Sequence, residues 1–387
     1  GGLMDLKMDK EALAWLAQLD DAQPAKLRLR LRTGLVPRDA AIGQARAALA
    51  KGGDIDYWKV ILDGAVEPEG LPLRVAGYEQ LLNRTDDEQA YTLNGERRLW
   101  GAYLATAVAE ANKAGLLVGD DAAWADYAGR RLASEPAVAR AFFAHLAQRA
   151  HTATARHNAQ LQLLHSYQTD RLELVALRVF GAIFSDIDAL DAQARYRLGA
   201  MAEARRQPAA AVRYWQDMPT PPDVASGEWL LRVSRQRWRA GAEDTGVDAL
   251  VRHYSAQQHG AAVMPLGFDY AEELVERGQP AAARRLLEAL LPHMQPAQSR
   301  SALYALGRAL ESEGALPLAA EAYLRSALAA ADVPDAAAVQ ARFRAGTAFA
   351  RAGYLRDARM QLEWVVGNAK DAALVEAARS ELKKLQL

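Results

Sequence analysis

Cysteine is absent from this 387-residue sequence. Its absence excludes disulfides, thiolate nucleophiles and any cysteine-ligated zinc site. There is no surplus of charge either: 47 basic and 48 acidic residues leave a net charge of −1, so no global field draws the chain to nucleic acid or an anionic membrane. No apolar run approaches the roughly 20 residues that span a bilayer. The phosphate-cradling Gly-x-x-x-x-Gly-Lys-Ser/Thr loop, a Gly-x-Gly-x-x-Gly after a strand and a Gly-x-Ser-x-Gly elbow are all missing. No cofactor and no catalytic activity are therefore expected. The chain opens Gly1-Gly2-Leu3-Met4-Asp5 with no basic stretch before an apolar one, so the printed residues hold no signal peptide. The leading glycines read as an expression scar, which leaves a native leader open.

Four histidines, His145, His151, His157 and His165, fall six, six and eight residues apart. A helix presents two ligands to one metal at spacings of three or four, so these read as surface histidines rather than a metal site. Arg130-Arg131, Arg205-Arg206 and Arg284-Arg285 form basic pairs, but acids are interspersed throughout, and solvated helix faces are preferred over a nucleic-acid stripe. The eight tryptophans mostly sit at helix-core spacing and read as packing residues.

What the sequence has in plenty is helix-forming, alanine-rich periodicity, with 51% hydrophobic and 25% charged residues. Apolar spacing predicts helices over 9–19, 38–50, 55–65, 72–83 and 86–114, the last with a break near Asn94-Gly95. Leu27, Leu29 and Leu31 alternate with Arg28, Arg30 and Arg32, a strand-like period, but in this composition a short helix ended by Gly34 is preferred. Asp120 or Asp121 is expected to N-cap the helix carrying Trp124 and Tyr127.

A register emerges further on. Pro136, Pro208 and Pro280 lie at intervals of 72 residues, twice 36, each opening an alanine-rich helix, where a proline forfeits no hydrogen bond. Near the C-terminus two segments align without a gap at an offset of 39: Gly307 over Gly346, Gly314 over Gly353, Ala319 over Ala358, Tyr323 over Leu362. Small first-helix positions fall at Gly199, Ala271, Gly307 and Gly346, with Arg235 as the exception. Turns are expected at Arg206, Ala242, Gly278, Gly314 and Gly353, and a bulky second-helix position at Trp215, Val251, Leu287, Tyr323 and Leu362. His157 to Ile187 fits loosely through Leu163, Val175 and Val179.

This pattern resembles the tetratricopeptide repeat (TPR) family, with a period of 36 to 39 in place of the family's usual 34. The resemblance implies an all-α fold, a right-handed solenoid of helical hairpins that stack because one hairpin cannot bury its apolar face alone. The expected organisation is a divergent helical region over 1–120, loosely TPR-like hairpins over 121–190, the repeat array over 191–370 and a capping helix over 371–387.

At the fifth motif position, which in this family faces the concave groove, the chain places Tyr196, Arg232, Phe268, Tyr304 and Phe343, with Arg308 one turn beyond Tyr304. Flat rings at such a position suit a peptide or protein partner, and also a glycan. The opposing reading is that they wedge between first helices. The resemblance thus implies a non-enzymatic scaffold or adaptor, in a bacterial cell envelope or periplasm or otherwise in the cytoplasm. The lysine–asparagine clamp by which some relatives grip acidic C-terminal tails is not matched: Phe268 and Glu272, Tyr304 and Arg308, and Phe343 and Thr347 stand there instead. Glu311-Ser312 resembles the Glu-Ser pair of lytic transglycosylases, but Glu-Gly-Ala-Leu-Pro-Leu follows and the motif is not met. An accessory helical region of such an enzyme is the alternative reading, a cytoplasmic TPR regulator another.

Overall fold

The computed structural model describes residues 23–66, 69–84, 94–184, 186–242, 245–256, 263–329 and 335–385, together with Ala14 and Ala17. The helix expected over 9–19 lies outside them except at those two alanines. The described residues form twenty α-helices and two short 3-10 turns, with no strand. They divide into two compact units, Gly1–Gln216 and Asp217–Leu387.

The first unit holds α1 (Pro24–Arg32), α2 (Arg38–Ala50), α3 (Tyr57–Gly64), α4 (Leu71–Leu82), α5 (Gly95–Lys113), α6 (Asp121–Arg131), α7 (Pro136–Arg149), α8 (Ala153–Thr169), α9 (Glu173–Ile183), α10 (Ala192–Ala204) and α11 (Pro208–Trp215). The alternating Leu/Arg stretch is helical: α1 buries Leu27 and Leu29, and Arg28 Nε donates to Asp63 on α3 at 2.5 Å. Gly34 follows at φ +77°, the left-handed conformation that ends a helix at little cost only for glycine. Asp120 caps α6, accepting from the Ala123 amide at 2.9 Å. α5 begins at Gly95 behind a left-handed Asn94, and residues 86–93 of the expected longer helix lie outside the described ones.

The second unit holds α12 (Ser226–Arg239), α13 (Val247–Ala256), α14 (Val263–Glu276), α15 (Pro280–Leu290), α16 (Pro296–Ser312), α17 (Leu316–Leu328), α18 (Ala336–Arg351), α19 (Leu355–Asn368) and α20 (Ala372–Lys384). Consecutive helices pack on each other except that α13 packs on α12 and α15, and α12, α14 and α16 also touch in succession. That is a TPR-like stack of hairpins, with first helices on first helices. One continuous core runs from Leu231 through Leu250, Tyr270, Leu287 and Leu306 to Ala345. Val339, Leu362, Val365 and Ala378 form a terminal cluster, onto which α20 lays Leu374 and Leu382 as the capping helix.

The turns between hairpin helices share one construction. Arg171, Arg206, Gly278, Gly314 and Gly353 all adopt positive φ. At each, the amide bonds back three residues and the next amide bonds back five: Gly314 to Glu311 at 3.1 Å, Ala315 to Leu310 at 2.9 Å. These two hydrogen bonds satisfy two carbonyls that the helix end leaves open. In the unit that carries Arg235, expected to turn at Ala242, the left-handed residue is Gly241 (φ +98°). The turn comes one residue early because only glycine adopts that conformation without strain.

The small first-helix residues have a direct reason. A β-carbon on Gly199 would lie 2.0 Å from Trp215 Nε1, one on Gly307 2.6 Å from Tyr323 Cδ1, and one on Gly346 2.8 Å from Leu362 Cγ. In all three hairpins the bulky residue stands 16 positions after the glycine. Gly307 is thus closed upon by Tyr323, more tightly than by the Ala319 that the register also places in the interface, although Ala319 is itself fully buried.

Candidate functional site

Helical spacing brings residues i and i+4 to one face, so Phe268 and Glu272 share a side of α14, and Tyr304 and Arg308 a side of α16. The stacking of those two first helices sets the pairs next to each other. Phe268, Glu272, Arg300, Ser301, Tyr304, Ser326, Ala337 and Gln340 line an open groove of about 300 Å3 whose wall is completed by α17 and α18. Both rings are partly buried: each rests on the core, and Tyr304 lies 5.2 Å from the Tyr323 ring at 59°. They are seated from behind and open in front, so the two roles weighed from sequence, packing and lining, coexist in the same rings.

The other expected site residues are placed differently. Phe343 packs partly buried on the terminal Val339–Leu362–Val365–Ala378 cluster and is not among the groove-lining residues. Arg232 is partly buried on α12. Tyr196 belongs to the first unit, where its carbonyl accepts from Trp215 Nε1 at 3.3 Å.

The charges around the groove are unevenly satisfied. Arg300 forks onto Asp335, Nη1 to Oδ2 at 2.6 Å, and Asp335 also caps α18 through the Ala338 amide at 2.8 Å. Hydrogen bonds from Arg300 and from that amide hold the Asp335 carboxyl well below the usual range. On α14, Glu273 collects Arg235 (2.9 Å), Arg239 (2.7 Å) and Arg277 (3.1 Å). Burial pulls its pKa up, but the hydrogen bonds from Arg239 and Arg235 outweigh this and hold it down. Glu272, one residue earlier and on the groove side, goes the other way. Burial raises its pKa, the attraction of Arg308 opposes, and repulsion from Glu276 and Asp269 adds to the rise.

Sequence reasoning missed two further features. Leu291, Met294, Leu303, Leu306, Leu310 and Leu318 line a second depression of about 580 Å3 on another face of α16. Its one signal in the sequence is the i, i+3, i+7 series Leu303, Leu306, Leu310, which is equally the signature of a buried helix stripe. In the first unit, a charged network is buried between α4, α5, α7 and α8. Arg140 Nε and Nη2 fork onto Glu79 at 2.7 and 2.6 Å, and Nη1 donates to Ser166 at 3.0 Å and to Asp170. The Tyr103 hydroxyl donates to Glu79 at 2.6 Å and lies 2.9 Å from that of Tyr167. With Arg140 3% and Glu79 2% exposed, this pair stands only because its hydrogen-bonding groups meet one another. Glu79, Glu135, Arg140 and Asp170 border a cleft of about 500 Å3.

Glu311 and two of the histidines noted in sequence sit against neighbours in the fold. Glu311 accepts from the Tyr323 hydroxyl at 2.9 Å and pairs with Arg351, which ties it into neighbouring hairpins. His145 stacks on Trp124 with ring centroids 4.4 Å apart, and His151 Nδ1 lies 3.2 Å from Asp121.

No protein-family profile matches the chain, and no curated protein matches it significantly. Among solved structures, it superposes on yeast Tom70 with a TM-score of 0.31 at 12% identity, over 100% of this chain and 93% of that one. On the structure of Naa15/Naa10 bound to HypK-THB the TM-score is 0.25 at 14% identity, over 98% of this chain and 64% of that one. Superpositions this loose carry no functional reading, and the repeat geometry stands on the chain's own packing.

Proposed function

We propose that the protein is a non-catalytic scaffold or adaptor that holds an extended peptide segment of a partner protein in the groove between α14, α16 and α18. One observation carries the reading: Phe268 and Tyr304, from successive first helices, line the same open groove while the core supports both rings from behind. Rings fixed in this way offer contact area at low entropic cost, as binding hot spots do. Each should contribute more than about 1 kcal/mol and the polar rim much less.

Peptides selected from a random library against the whole chain test this. The selected sequences are expected to bind with a Kd in the micromolar range. The Phe268→Ala/Tyr304→Ala variant should lose at least tenfold of that affinity, with helicity and Tm near wild type. Equal binding to both proteins overturns the reading, and so does loss of binding that milder Phe268→Leu and Tyr304→Leu variants, which keep the packing on the core, fail to reproduce at all. The cell envelope is the compartment we attach to this proposal, in keeping with a cysteine-free chain, and fractionation of native cells checks it.

A further inference from the structure

The groove carries a charge as well as rings. Glu272 follows Phe268 by one helical turn and lines the same groove as Tyr304. The basic residues nearby are committed elsewhere: Arg300 to Asp335, and Arg235, Arg239 and Arg277 to Glu273. Among the described residues Arg308 offsets Glu272 by attraction without a hydrogen bond, while Asp269 and Glu276 on the same helix repel it. Its carboxylate has thus lost part of its water to burial and received no hydrogen-bonded partner among the described residues. A partly desolvated anion with no hydrogen-bonded partner among the described residues, beside two aromatic rings, favours a cation with a flat face or an apolar stem.

Resting on the peptide-groove reading, we infer that the segment bound there presents a basic side chain, arginine foremost, next to an apolar one, and that Glu272 is the residue that selects it. A guanidinium suits the place because it can fork onto the carboxylate and stack on a ring at once. The acidic tails gripped by a lysine–asparagine clamp are selected against, since Glu272 repels them.

The test uses the whole chain and three N-acetylated, C-amidated pentapeptides, Gly-Phe-X-Phe-Gly, with X arginine, citrulline or glutamate. Calorimetry on wild type, Glu272→Gln and Phe268→Ala/Tyr304→Ala separates the contributions. Citrulline keeps the shape of arginine and removes the charge. Wild type is expected to prefer arginine over citrulline by at least tenfold and to bind the glutamate peptide weakest. The preference should shrink to about twofold or less in Glu272→Gln, whose fold is checked by circular dichroism. Equal affinity for arginine and citrulline, a preference that survives in Glu272→Gln, or tightest binding of the glutamate peptide each overturns the inference. If both peptides bind wild type equally and are lost together in the double aromatic variant, the cationic selection fails while the groove reading stands. Absence of binding by all three peptides counts against both.

Discussion

Gly307 on α16 lies directly against the ring of Tyr323 on α17, so that a single added methyl would come within 2.6 Å of Cδ1. The fully buried ring cannot retreat, because its hydroxyl is held by Glu311 and its face by Tyr304. Gly307→Ala should therefore destabilise the second unit by about 1–3 kcal/mol of overpacking, less the gain of roughly 1 kcal/mol that alanine brings to a helix interior. A lowered midpoint in chemical denaturation is expected. An unchanged one would mean that the hairpins are not closed in this register.

The turns offer a change of opposite sign. Arg206 holds the left-handed position (φ +55°) that glycine occupies at 278, 314 and 353. A side chain there costs on the order of 1–2 kcal/mol, and its removal is partly offset by the greater backbone freedom of glycine when unfolded. Arg206→Gly should leave stability equal or raise it by up to about 1 kcal/mol, whereas Gly314→Ala should lower it. Thermal melts of the two variants side by side check the contrast.

The buried Arg140–Glu79 pair gives a non-additive case. Arg140→Met strands a buried carboxylate and should cost about 3–5 kcal/mol. Adding Glu79→Leu removes the stranded charge, while Tyr103 keeps Tyr167 as a partner, so the double variant should recover much of the loss. Urea denaturation of the three proteins decides it, and simple additivity would show that the two groups act independently.

Adjacent carboxylates on α14 should respond to acid in opposite ways. The folded pKa of Glu273 lies below its ordinary value of 4.5, so the stability it confers is complete above that value and is lost as pH falls through the folded pKa. Glu273→Gln should thus melt lower than wild type at neutral pH, with the gap closing on acidification. Glu272 has a raised pKa, so its charge costs stability at neutral pH, and protonation on acidification removes the cost. Glu272→Gln should melt as high as wild type or slightly higher at pH 7, with the difference vanishing in acid. A destabilised Glu272→Gln at neutral pH would show that the carboxylate has a partner within the fold.

Much of the array was legible because backbone chemistry writes it into single residues. Gly278, Gly314 and Gly353 mark the left-handed turns, Pro208 and Pro280 the helix starts, and Gly199, Gly307 and Gly346 the places where two helices approach closely. The slip at Ala242 was not legible in the period, since 36-residue steps from Arg206 and from Gly278 both land on Ala242, and only the backbone freedom of the adjacent Gly241 moves the turn. The site was legible in part. The register identified Phe268 and Tyr304, but whether a ring lines a groove or a core depends on what the next hairpin brings, and α20 gives Phe343 a cluster to pack on. Glu79 and Arg140 stand 61 residues apart, and no local periodicity marks two charges that meet only after α4 and α7 are packed together.

On the proposed function, a partner peptide lies over Phe268 and Tyr304. Photo-crosslinking a library-selected peptide that carries a benzophenone side chain, with mass-spectrometric mapping of the adducts, tests it most directly. Adducts are expected within 268–272, 300–304 and 337–340, and they should disappear in Phe268→Ala/Tyr304→Ala. Adducts concentrated on the leucine-lined depression at Leu291, Met294 and Leu318, or in the first unit, would contradict it.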